Sequence, residues 1–174
     1  EDADGFEDAD GCPEEDNDRD GFTDAQDRCP LEAEVINGVD DEDGCPDAGE
    51  PTVRLEGGRI VTRERLGFAG QSDRLAPKSA AAVQQVALLL RARRELSLTV
   101  EVHTDEPASA EANQKLSQAR ADNVKAALVS AGVDAARIEA RGLGNTQPAD
   151  TGKTPAAKEA NRRVELIVSQ GGSR

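Results

Sequence analysis

The clearest alternation in the chain lies at residues 96–102. Leu96, Leu98, Val100 and Val102 are apolar there, and Ser97, Thr99 and Glu101 are polar. A period of two predicts a half-buried strand. From about Ser109 the period lengthens: Leu116, Ala119, Val124, Ala127, Leu128 and Ala131 recur every three to four residues, a helix that Gly132 ends. Upstream, Val83, Val86, Ala87 and Leu90 mark an earlier helix, with Pro77 suited to its first turn. Residues 59–62, 66–68, 137–142 and 164–168 read as further strand segments, and Thr154-Pro155 caps a short helix. Strand and helix alternate. The expected fold is therefore α/β, a two-layer sandwich of βαβαβ type with helices backing a small mixed sheet.

Residues 1–50 follow no such period, and charge separates them from the rest. They hold 21 Asp and Glu against 2 Arg, whereas residues 51–174 hold 14 against 19, which together give the net charge of −14. A run of this kind is ordinarily a solvated tail, but its order is regular. Asp16, Asp18, Asp20, Gly21, Asp24 and Asp27 occupy a DxDxDGxxDxxD loop. Alternate carboxylates let side-chain oxygens converge on one hard cation, Gly21 permits the sharp turn, and Phe22 would add its backbone carbonyl. Pro13 before the loop and Cys29-Pro30 after it leave no room for the helix pair of an EF-hand. ADGFEDADGCP at 3–13 recurs as INGVDDEDGCP at 36–46, so Asp2, Asp4, Asp8 and Asp10, and Asp41 and Asp43, form degenerate outer loops. Short acidic repeats closing on Cys-Pro resemble thrombospondin type 3 calcium repeats. Ca2+ is the cofactor this resemblance implies, held in an irregular module at residues 1–50.

Three cysteines in a module poor in core residues point to an oxidising compartment. Cys29 and Cys45 enclose one repeat and share a Cys-Pro context, so they are paired here. Cys12–Cys29 is the competing arrangement. One distant histidine, His103, argues against a four-ligand zinc site. Residues 51–58, polar and rich in turn formers, read as a linker, and 59–174 as the second domain.

Asp105 follows the 96–102 strand and Arg120 lies in the next helix. The loop at a strand's carboxyl end is where α/β folds tend to hold ligands. From spacing alone, the two could grip a small zwitterion or form a structural salt bridge. Thr104-Asp105, Asn113, Leu116-Ser117, Arg120-Ala121 and the later Asn161-Arg162-Arg163-Val164-Glu165-Leu166 resemble the peptidoglycan-binding domain of the outer-membrane protein A family. That family includes the peptidoglycan-associated lipoproteins and the flagellar MotB proteins. The resemblance implies Asp105 on the ammonium and Arg120 on the carboxylate of the stem peptide's diaminopimelate. It also implies Arg162 as a secondary contact, Thr104 and Asn113 shaping the pocket, and Leu116 packing beneath it. Val102, Glu106-Pro107, Ala157-Lys158 and Ala69 depart from the usual pattern.

Catalysis has little support. The second domain has no cysteine, a single histidine and no Gly-rich phosphate loop after a strand. Its basic residues lack the aromatic partners of a nucleic-acid surface. The expectation is a non-enzymatic periplasmic tether of a Gram-negative, outer-membrane-associated protein, binding peptidoglycan beyond a calcium-stiffened spacer. Glu1 in place of Met reads as the start of either a mature or an artificially expressed fragment, with any barrel or lipid anchor expected upstream. The alternative is a calcium-dependent adhesion or envelope-assembly protein whose domain does not bind the wall.

Overall fold

A computed structural model describes residues 15–170. The α/β part is one five-stranded sheet in the order β1-β2-β5-β3-β4, formed by β1 (Val53–Glu56), β2 (Arg59–Thr62), β3 (Leu96–His103), β4 (Ile138–Gly144) and β5 (Val164–Gln170). Only β3 and β4 run parallel, joined through α2 (Ala110–Ser130); β5 lies antiparallel between β2 and β3. A parallel pair needs such a long crossover, whereas antiparallel neighbours can be joined tightly. With α1 (Ser79–Ala92) and the short α3 (Pro155–Asn161), the helices complete the expected two-layer sandwich.

The alternation at 96–102 becomes β3, which continues one residue further, to His103. Leu98, Val100 and Val102 meet Val83, Val86 and Leu90 of α1 and Val124 and Leu128 of α2 in one core. Ser109 caps α2, its hydroxyl accepting from the Ala112 amide at 3.1 Å, and Gly132 takes the positive φ that stops it. The buried face of α2 changes along its length. Toward the carboxyl end it is Val124 and Leu128; toward the amino end it is Asn113, Ser117 and Arg120. The polar half serves edge strand β4, whose alternate residues bond to α2 side chains. Gln118 and Lys125 donate to the Ala140 and Ile138 carbonyls, and Ser117 accepts from the Gly144 amide. Gln114 donates to the Gly142 carbonyl at 2.6 Å. These bonds satisfy an edge that would otherwise be open to another chain. Helix and strand touch so closely at Gly142 that a Cβ there would stand 2.2 Å from the Gln118 nitrogen. At the other end of the core, Arg137 donates to the Leu90, Arg93 and Leu96 carbonyls and closes the end of α1.

Several boundaries differ from the sequence reading. Residues 51–58 are not a linker. They hold β1 and the Gly57-Gly58 turn of a β1–β2 hairpin, both glycines at positive φ and Glu56 paired with Arg59. A two-residue hairpin turn of this twist needs positive φ at both positions, which glycine supplies without strain. Residues 66–68 contribute an isolated bridge between Phe68 and Leu75 rather than a strand. Pro77 lies in the turn before α1, and Arg137 ends a 3-10 turn (Ala135–Arg137) before β4.

Residues 15–50 contain no helix or strand. Their order comes from carboxylates accepting backbone amides and from the Cys29–Cys45 disulfide, the pairing preferred from context. Cys12 and the loop acids Asp2, Asp4, Asp8 and Asp10 lie outside the described residues. The segment is not a detached spacer either. Gly21 presses against the end of α1, where a Cβ would stand 2.5 Å from the Ala92 nitrogen. Phe22 is buried beside it, with the Arg91 guanidinium 5.4 Å from its ring centre. Further on, the Ile36 carbonyl accepts from the Thr52 amide and hydroxyl, which ties the segment to the start of β1.

Candidate functional site

The end of β3 and the loop to α2 form the site. Thr104 is buried; its amide donates to the Gly144 carbonyl at 2.8 Å and its hydroxyl to the Asn113 carbonyl at 3.3 Å. Asn113, fully buried in α2, holds the loop from beneath. Its side-chain oxygen accepts from the Glu106 amide, and its nitrogen donates to the carbonyls of Glu106, Ala108 and Ser109. Both residues therefore shape the site through the backbone. Leu116 is half-buried and lines neither cavity described below; Ser117 and Asn113 occupy the buried positions around it.

Asp105 and Arg120 do not meet as a salt bridge, nor do they line one cavity. Asp105 faces a recess of about 270 Å³ that it shares with Asp150 and Asn161. Its carboxylate accepts from the Asn161 side chain at 2.9 Å, and Asn161 also bonds both the amide and the carbonyl of Asp150. Arg120 lines a larger cavity of about 490 Å³. Its Nε donates to the Ser72 carbonyl and one terminal nitrogen to that of Gly70, while the guanidinium stacks over Phe68 at 4.7 Å. The other terminal nitrogen is 4.0 Å from Glu106, the acid nearest Arg120 in this cavity. Arg162 lines the same cavity and pairs with Glu159 at 2.8 Å. Charge differs sharply between the two recesses. Arg65, Lys78, Arg120, Arg162 and Arg163 line the larger against Glu106 and Glu159, whereas the smaller has Asp105 and Asp150 and no Arg or Lys.

His103 borders both. It is 3% exposed, and neither ring nitrogen has a hydrogen-bond partner. Burial first, then Arg163 and Arg59, depress its pKa below the ordinary 6.5, while Glu165 at 3.6 Å opposes them. The folded ring stays neutral where an unfolded one takes a proton. Stability is thus lost as pH falls from about 6.5 to the folded value and is constant below it. His103→Phe should remove this part of the slope. Melting temperatures of both proteins at pH 7.5 and pH 5.0 check it, and equal drops would show that His103 is not the group responsible.

The acidic loop also converges, in part. Carboxylate oxygens of Asp16, Asp18 and Asp20 lie within 4.8 Å of one another. Gly21 donates its amide to Asp16, Asp20 to Asp18, and Phe22 to Asp20, so the chain is wound around the acids. One oxygen each of Asp16, Asp18 and Asp27 is nonetheless buried with no hydrogen-bond partner. Burial, then Asp20, Asp27 and Asp16, push Asp18 up to about 6. Buried, unpartnered carboxylate oxygens are costly alone and suit a hard cation. Asp24 accepts the Asn17 amide at 3.0 Å. The outer loop differs: Asp41 accepts the Asn37 and Gly38 amides, and Asp43 is engaged by Arg28 at 2.6 Å and by the Cys45 amide. Asp43 is thus an ion-pair partner, which leaves it less suited to the ligand role expected of it.

Three comparisons place the chain among known proteins. Outer-membrane lipoprotein YfiB of Pseudomonas aeruginosa is 39% identical over 116 residues, 67% of this chain and 69% of that protein. Outer membrane porin F of the same organism is 34% identical over 161 residues, 92% of this chain but 43% of its own length, so that match takes in acidic residues as well. The crystal structure of the peptidoglycan-associated lipoprotein from Burkholderia pseudomallei has 31% identity and a TM-score of 0.55, covering 62% of this chain and 92% of that one. The chain spans under half the length of some curated relatives, porin F among them. The outer-membrane names agree with the periplasmic, outer-membrane-associated location read from the sequence. Residues 67–162 match the OmpA family, which takes in the whole of α1, α2, β3 and β4: the chain belongs to that family.

Proposed function

We propose that the α/β domain binds peptidoglycan without chemistry on it, through the diaminopimelate of the stem peptide. The observation that carries this reading is the opposite charge of two adjoining recesses. In this account a zwitterionic side-chain end places its ammonium on Asp105 and its carboxylate toward Arg120 and Arg162, with His103 bordering both recesses. Charge-assisted hydrogen bonds of this kind are strong and directional. The names of the relatives support it, since the Burkholderia structure is of a peptidoglycan-associated lipoprotein. The acidic segment loads Ca2+ at Asp16, Asp18 and Asp20, with Asp27 acting on Asp18, and this holds the Gly21-Phe22 turn against α1. In this account the protein is a periplasmic tether, and calcium braces the segment that leads into the wall-binding domain.

Co-sedimentation with sacculi tests the reading. Diaminopimelate-type sacculi should retain the protein, and free meso-diaminopimelate in excess should release it. Sacculi with lysine in its place lack the side-chain carboxylate and should retain it poorly. Equal retention by both types would show that the zwitterion is not what is recognised.

A further inference from the structure

On the peptidoglycan reading of the site, we propose that a gap between β2 and β5 holds the residue that follows diaminopimelate in the stem peptide. Its occupant is an extended backbone with a small side chain and a free carboxylate. β2 and β5 pair only at Arg59 with Ile167 and at Ile60 with Leu166. Beyond Ile60 the two strands part. Each stays paired on its other side, β2 with β1 as far as Thr62 and β5 with β3 back to Val164.

The direction of the backbone groups at the gap follows from the alternation of an antiparallel ladder. The Val168 amide donates to the Gly58 carbonyl, on the β2 side, so Leu166 and Val164 turn their backbone groups the same way. The Arg63 amide donates to the Thr52 carbonyl, on the β1 side, so Thr62 turns toward β5. Thr62 and Val164 thus present donors and acceptors to each other where the ladder has already ended. An extended peptide fills such an opening when it adds a strand to a sheet edge.

The gap is a cleft of about 210 Å³ with the buried Ile60 and Leu166 among its walls, which suits a small side chain. It is continuous with the larger cavity: Arg65, Leu66 and Val164 line both, so one peptide can occupy the two together. Arg65 is exposed where they meet. Among the described residues it forms no ion pair, and Glu159, on which its charge acts, is already held by Arg162 at 2.8 Å. Arg59, the other base of the cleft, is taken by Glu165 at 2.7 Å. Arg65 is therefore the cation left for a terminal carboxylate.

Calorimetric titration of three ligands into the whole chain tests this: free meso-diaminopimelate, the stem tripeptide that ends in it, and the tetrapeptide that adds one alanine. The tetrapeptide should bind about tenfold more tightly than the tripeptide, and it alone should slow hydrogen exchange at the Thr62 and Val164 amides. Equal affinity of the two peptides, or exchange at these amides that the tetrapeptide does not slow, overturns the cleft and leaves the diaminopimelate site standing. Failure of all three to bind overturns both. In Arg65→Gln the tetrapeptide's advantage over the tripeptide should be largely lost. An undiminished advantage overturns the carboxylate contact.

Discussion

Asp105→Asn is expected to release the protein from diaminopimelate-type sacculi while leaving the fold intact. The substitution keeps the shape of the side chain and an oxygen that can still accept from Asn161, 2.9 Å away in the wild type. It removes the charge that would hold the ammonium. Truncating one partner of a desolvated charge pair costs about 2–5 kcal/mol, or roughly 30-fold to several-thousand-fold in affinity. Arg120→Ala is a poorer probe. Arg120 is 3% exposed and braces the Gly70 and Ser72 carbonyls and the Phe68 ring. Its loss should destabilise the domain by at least about 2 kcal/mol, whatever it does to binding. Arg162→Ala reports on the anionic side more cleanly, because among the described residues its side chain pairs with Glu159 at the surface and donates to no carbonyl. Unchanged sedimentation of Asp105→Asn, alongside an unchanged melting temperature, would remove Asp105 from the site.

Chelation should have the second large effect. Without a cation the buried oxygens of Asp16, Asp18 and Asp27 have no partner and their charges repel. Binding at 100 times the dissociation constant contributes about 2.7 kcal/mol, enough to decide whether so small a segment stays seated. With EGTA, Phe22 should leave its place against Arg91, and protease should cut before Pro51, most readily in 15–28, outside the loop closed by Cys29 and Cys45. The α/β domain, with its own core from β1 to β5, should resist throughout. Equal protection of the acidic segment with and without chelator would falsify the calcium reading.

Elements with a long, clean period were legible in the chain. β3 alternates over its length, and α2 carries a cap, a stripe and a stop. The β1–β2 hairpin was not, because its strands are four residues each and its Gly57-Gly58 turn reads equally well as flexible linker. Gly21 and Phe22 stand out in the sequence as positions of the acidic DxDxDG loop. Their second role, packing on Ala92 and Arg91, depends on a contact some seventy residues away that no local pattern records. The site was half legible. The family resemblance singled out Asp105 and Arg120 as a pair, but the burial of His103 and the course of the Thr104–Glu106 loop divide them between two recesses. Asn161 belongs to the NRRVEL run, yet its grip on Asp105 across 56 positions emerges only from the fold.

The most direct measurement is a titration of diaminopimelate-containing stem peptide into the protein, followed by backbone and arginine Nε–H nuclear magnetic resonance. The account predicts shifts on both sides of His103: the Thr104 and Asp105 amides at the smaller recess, and the Arg120 and Arg162 side chains at the larger. Saturable binding that leaves these signals in place and moves others would contradict it.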